Sequence, residues 1–136
     1  MWSLPGVPRS LLVVGGGYIG LELGTVYAAL GSQVTVVEMT GSLLPGVDRD
    51  LVSVLARRMG QITRAIHLET KVTGLEAVAD GIAVTFAGPA ITEPVQRFDA
   101  VLVAVGRTPN SNVPGLERTT VELDSRGFVQ VDSQRR

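Results

Sequence analysis

Gly15, Gly17 and Gly20 stand in the spacing Gly-x-Gly-x-x-Gly, with a further glycine at Gly16, inside the run VVGGGYIGLELG. Glycine brings no reactive group. It brings bare backbone, with N–H groups that an anion can approach without meeting a Cβ. Two acids accompany the glycines: Glu22, set among apolar neighbours just past Gly20, and Glu38, at the end of the next β-branched run. This set suits anion binding and hydroxyl recognition. It contains no nucleophile and no paired acid and base.

Glycines can do this only if the surrounding elements aim them. Arg9–Val14 is a short apolar run ended by Gly15, as expected of a strand buried on both faces of a parallel sheet. The period then changes. Ile19, Leu23, Val26 and Leu30 fall on one face of a helix over Tyr18–Leu30, with Gly31 as its stop. Gln33–Glu38 (QVTVVE) reads as a second strand, so the crossover between the two is right-handed and the strands parallel.

In that context the glycine spacing is the dinucleotide fingerprint. Gly15 permits the tight turn, Gly17 lets amides approach a pyrophosphate, and Gly20 lets the helix lie close to the strand; Gly24 extends that close packing. Glu38 would accept the adenosine ribose hydroxyls, which favours NAD. An NADP site needs cations near the 2′-phosphate, and Met39, Thr40, Gly41, Ser42, Leu43 and Leu44 are not basic. Glu22 is awkward beside a pyrophosphate unless it faces a lysine of another domain or the nicotinamide end.

Further along, Asp48 is placed to cap a helix over Arg49–Gly60 with Leu51, Val54, Leu55 and Met59 on one face. A short strand is expected over Ala65–Leu68. Asp80-Gly81 marks a two-residue hairpin between Lys71–Ala79 and Ile82–Ala87, and a third arm over Ile91–Arg97 would complete an antiparallel meander, with Pro94 against it. Asp99–Val105 returns to the buried-strand type. The remainder is loop-rich, with a short strand expected at Phe128–Val131. The Pro/Gly-rich residues 1–8 form a lead-in, and residues 9–136 one domain.

Composition narrows the function classes. At 136 residues, 45% hydrophobic and 18% charged with net charge −1, the chain can bury a core and carries no basic stripe for nucleic acid. No apolar run approaches the roughly 20 residues of a membrane span, and the first residues lack the form of a secretory signal. With no cysteine, no disulfide or thiolate chemistry belongs to these residues.

GGGYIGLELG, VTVVE, LLPGVDRDL and VLVAVGRTPN, in this order and spacing, resemble the NAD-binding domain of the pyridine nucleotide-disulfide oxidoreductases, the flavoprotein disulfide reductases, and within them the dihydrolipoamide dehydrogenase branch. The resemblance implies an α/β fold: a Rossmann-like, three-layer β/β/α architecture with a parallel sheet, helices on one face and an antiparallel meander on the other. It implies that Gly15, Gly16, Gly17, Ile19 and Gly20 bind pyrophosphate, and that Glu38, with Met39 beside it, binds the adenosine ribose. Val72 would make a backbone contact to adenine, and Gly106 would lie on the nicotinamide side. Tyr18 would cover a flavin ring and swing aside for nicotinamide. Glu22 would pair with a lysine of an FAD domain, and Arg107 would lie at a domain interface. His67 is read as structural.

In such a family FAD, a CxxxxC redox disulfide and a His-Glu pair lie in other segments, so these 136 residues are expected to bind NAD and not to catalyse alone. The parent would be a homodimer within a 2-oxo acid dehydrogenase complex, in a bacterial cytoplasm or the mitochondrial matrix. Three other readings stay open: an NADH oxidase or ferredoxin reductase parent, a stand-alone NAD-binding module, and FAD on Gly15–Gly20. The position of VAVGRTPN after the meander and the missing CxxxxC speak against the last, and Tyr18, Pro109 and Val113 suggest a docking surface that a stand-alone module would have made polar.

Overall fold

The computed structural model describes residues 6–135, so residues 1–5 of the expected lead-in lie outside the described residues. β1 (Ser10–Val14), α1 (Tyr18–Ala29) and β2 (Gln33–Val37) form the expected crossover unit. α2 (Arg49–Ile62), β3 (Ala65–His67), the meander β4 (Lys71–Val78), β5 (Gly81–Ala87) and β6 (Val95–Phe98), and finally β7 (Ala100–Val103) follow. The parallel sheet runs β3-β2-β1-β7, and the antiparallel one β4-β5-β6.

Alternation along the strands builds two cores. Leu11 and Val13 of β1, Val34 and Val36 of β2 and Leu102 of β7 meet α1 and α2 on one side of the parallel sheet. Leu12 and Val37 point the other way, onto Val84, Phe86 and Phe98 of the meander, where Phe86 and Phe98 meet edge to face. The α/β three-layer fold expected from the sequence is therefore present through Val105. The alternating residues of a strand buried on both faces explain why β1 and β2 read as continuous apolar runs.

Both helix faces differ from the sequence reading. α1 buries Gly20, Leu21 and Gly24, while Val26 and Leu30 are more than half exposed. Nearly every α1 residue is apolar, so hydrophobicity does not single out one face; the glycines do, because a helix without Cβ atoms there lies closest to the strands. α2 buries Val52 and Met59 and leaves Leu51 and Val54 in solvent. Asp48 holds the N-cap position of α2 without a side-chain capping bond. The C-terminus of α1 is as expected: Gly31 takes φ +97°, its N–H reaches the Ala28 carbonyl, and the Ser32 N–H reaches Tyr27.

The hairpin turn is shifted by one residue. Val78 pairs with Gly81, so Ala79 and Asp80 form the turn and Gly81 opens β5. Gly81 sits at φ +131°, and a Cβ there would strike the Phe98 carbonyl, so its backbone conformation and the close strand approach both require glycine. Pro94 lies just outside β6, where its carbonyl still accepts the Phe86 N–H.

Residues 106–135 make a separate unit. It holds a 3-10 turn over Leu116–Arg118 and a single antiparallel bridge, Leu123↔Val129, in place of the strand expected at Phe128–Val131. Asp124 organises that bridge by accepting the Arg126 and Phe128 N–H groups, and the Arg126 guanidinium lies over the Phe128 ring.

Candidate functional site

Gly15 begins the turn at φ +107°, and its N–H reaches across to the Val37 carbonyl. A Cβ on Gly15 would run into the Ala104 backbone after β7, and one on Gly20 would strike the Gly15 carbonyl and the Val13 side chain. Both positions thus require glycine for lack of room. Gly17 is different. It is the N-cap of α1, it makes no side-chain cap, and a Cβ there would meet nothing within 4 Å. Open space lies over the start of a helix whose first N–H groups have no intrahelical acceptor, and no acid stands in the first turn. That is the geometry an anion such as a pyrophosphate needs.

Glu38 ends β2 beside this turn, and its side chain is almost wholly buried. Its Oε2 accepts the Gly16 N–H at 2.7 Å and its Oε1 the Thr40 N–H at 2.8 Å. Burial pushes the Glu38 carboxyl up, but the bonds from the Thr40 and Gly16 amides outweigh it and hold the group below its ordinary value. Each oxygen has a further lone pair, so two hydroxyls of a diol could still bond to it.

The segment after Glu38 folds back over the turn. Leu44, at φ +47°, donates its N–H to the Gly16 carbonyl at 2.9 Å, and the buried Leu43 packs where a Cβ on Gly16 would sit. Leu44 is the sort of bulky residue that rarely enters the left-handed region. Arg49, the next basic residue in the chain, places its guanidinium on the Leu44 and Val47 carbonyls. Thr70 ties in the start of β4: its N–H bonds the Glu38 carbonyl, which brings half-buried Val72 to the same end of the sheet.

The other expected site residues lie as follows. Tyr18 opens α1 and is more than half exposed, and Ile19 beside it is half-buried. Glu22, in the second turn, is exposed and makes no ion pair among the described residues. Met39 is exposed next to Glu38. Gly106 and Arg107 open the second unit and are exposed; a Cβ on Gly106 would meet nothing within 4 Å. His67 ends β3, half-buried, with its carbonyl accepting the Glu38 N–H, a structural position. Thr40, Leu43, Leu44 and Thr70 were not among the residues singled out from the sequence. Among the described residues no group of acids or histidines could hold a metal ion, and no helix is long and apolar enough to cross a membrane.

The chain is similar to known proteins in sequence and in fold. The family described as pyridine nucleotide-disulphide oxidoreductase matches residues 1–136. A dihydrolipoyl dehydrogenase of Vibrio parahaemolyticus is 48% identical over 134 residues, 98% of this chain and 28% of that protein. The dihydrolipoyl dehydrogenase of Haloferax volcanii is 45% identical over 130 residues, 96% of this chain and 27% of its own length. Among solved structures, the HOCl-induced flavoprotein disulfide reductase RclA of Escherichia coli superposes with a TM-score of 0.77 at 29% identity, covering 95% of this chain and 28% of its own. The chain thus spans little more than a quarter of the proteins it is similar to.

Proposed function

This chain belongs to the pyridine nucleotide-disulphide oxidoreductase family, and on that premise we propose that residues 9–136 are the NAD(H)-binding part of a dihydrolipoyl dehydrogenase-like flavoprotein. The observation that carries the proposal is the pairing of an open helix N-terminus at Gly17 with an ionised, amide-held carboxylate at Glu38. One anion site and one diol acceptor at the same end of a parallel sheet match the two ends of an adenosine diphosphate moiety.

In this reading the first-turn amides of α1 hold the pyrophosphate, and Glu38 holds the adenosine ribose hydroxyls. Val72 meets the adenine, with Met39 at the rim. The bound nicotinamide supplies a hydride acceptor; the residues here bind and orient it. Tyr18 and Glu22, exposed at the start of α1, face the flavin side of the larger protein, with Gly106 on the nicotinamide side and Arg107 at an interface with another domain. FAD, the redox disulfide, the homodimer contacts and membership of a 2-oxo acid dehydrogenase complex then belong to the longer protein, working in the cytoplasm of its host or the mitochondrial matrix.

Selectivity tests the reading. A 2′-phosphate would lie against the Glu38 carboxylate, which no cation pairs with among the described residues. Calorimetry should show NADH binding at least about tenfold more tightly than NADPH, which corresponds to ~1.4 kcal/mol. Equal affinities would remove Glu38 from the ribose site.

A further inference from the structure

Gly16 lies between the turn and the segment 38–44, and both of its peptide groups are held by that segment. Its N–H bonds Glu38 Oε2 at 2.7 Å, and its carbonyl accepts the Leu44 N–H at 2.9 Å. The Gly16 N–H therefore faces the acid and is already spent. The next residue is Gly17, the N-cap of α1, so the planes set at Gly16 fix the direction in which the helix presents its first amides. Leu44 takes its left-handed conformation at this clamp, and Thr40 holds the second carboxylate oxygen. No lysine, arginine or histidine side chain pairs with Glu38 among the described residues, so the Thr40, Gly16 and Met39 amides and the Thr40 side chain hold the charge in place.

We infer that Glu38 is a positioning residue for the glycine turn: its carboxylate orients the Gly16 peptide, so its loss weakens dinucleotide binding at the pyrophosphate as well as at the ribose. The ligand in this inference rests on the proposed NAD(H) reading, while its geometry does not. A glutamine at position 38 can offer only one carbonyl oxygen. Its amide group would face either the Gly16 or the Thr40 N–H as a second donor, leaving a buried N–H without an acceptor. Neutralising this position thus does more than lift a charge from the ribose pocket: it loosens the pyrophosphate cradle.

The test combines amide hydrogen exchange with nucleotide affinity on the 136-residue chain and its Glu38→Gln variant. Exchange at Gly16 or at Thr40, whichever amide the glutamine no longer accepts, should accelerate by at least about tenfold in the variant, while the Val13 and Val84 amides stay protected and certify the fold. NADH and its analogue lacking both adenosine ribose hydroxyls should both bind the variant about tenfold more weakly than they bind the native chain. A ribose ligand and nothing more would leave both the Gly16 and the Thr40 exchange unchanged and cost only the NADH affinity; either result overturns the inference. If the native chain binds neither nucleotide, the NAD(H) reading fails and the exchange arm alone decides the positioning role. Should the variant not fold, the Gly16 amide proton of the native chain is followed by NMR against pH. It should move with an acidic midpoint below that of an ordinary glutamate, and a flat profile overturns the inference.

Discussion

Two carboxylates clamp the parallel sheet, one at each end, by the same device. At the end where the strands finish, Glu38 takes the Gly16 and Thr40 amides. At the end where they begin, Asp99 takes the Arg9 and Ser10 amides at 2.9 and 3.1 Å, and the Ser10 hydroxyl accepts the Asp99 N–H. Amides hold both acids below their ordinary values. For Asp99 the Ser10 amide is the largest cause, opposed by burial and helped by the Arg9 amide and charge. The surroundings differ. Asp99 opens on a shallow cleft of about 310 Å³ lined by Arg9, Ser10, Gln33 and Arg97, with the Arg9 side chain 93% exposed. Glu38 is 8% exposed and has no ion pair among the described residues. Water reaches the partners of Asp99 more readily than those of Glu38, so one bonding pattern carries two different weights.

The strongest way to disturb this asymmetry is to fill the crowded end. Gly20→Val puts side-chain atoms against the Gly15 carbonyl and Val13, and denaturant titration should show a loss of about 3 kcal/mol, or no folded protein. Next is the direct comparison of the clamps. Glu38→Gln should cost about 2 kcal/mol in the same titration, and Asp99→Asn clearly less, with part of its effect removed by salt because the Arg9 pair is exposed. Equal losses would show that burial does not separate the two ends.

Acid should then sharpen the contrast. Both folded carboxyls titrate below their unfolded value of about 4, so their contribution is complete above it and drains away as pH falls through the folded values. Thermal melts from pH 6 to pH 2 should therefore fall less steeply for Glu38→Gln than for the native chain. The smallest effect is expected at Gly24. A Cβ there meets Val13 and Val34 at 3.6 Å, an ordinary contact, so Gly24→Ala should be neutral or stabilising by up to about 1 kcal/mol. A loss like that at Gly20 would show that Gly24 shares its tight approach.

What could be read beforehand follows from where the signal resides. The crossover unit, the meander and the acid after β2 were legible because β-branched runs, a glycine spacing and a strand-end carboxylate are side-chain properties. The faces of α1 and α2 were not. In α1 the packing face combines Leu21 with the residues of least hydrophobic signal, Gly20 and Gly24, and in α2 both Leu51–Val54 and Val52–Met59 offer a plausible apolar stripe. Asp80-Gly81 promised a turn, whereas Gly81 answers to the Phe98 carbonyl from a strand that no local reading brings near. Within the candidate site the glycines and Glu38 stood out. Thr40, Leu44 and Thr70 act there through main-chain N–H groups, which almost any residue type supplies.

The order β3-β2-β1-β7 also has a history written into it. β1 is an inner strand, yet its neighbour β7 arrives last, pairing Leu11 with Ala100 and Val14 with Val103 after the whole meander has been made. Until then one side of β1 is an open edge of strongly apolar sequence, and a large loop must close before it is covered. During synthesis β1 therefore lacks this neighbour until residues 100–103 have been made, and their pairing closes that edge of the strand.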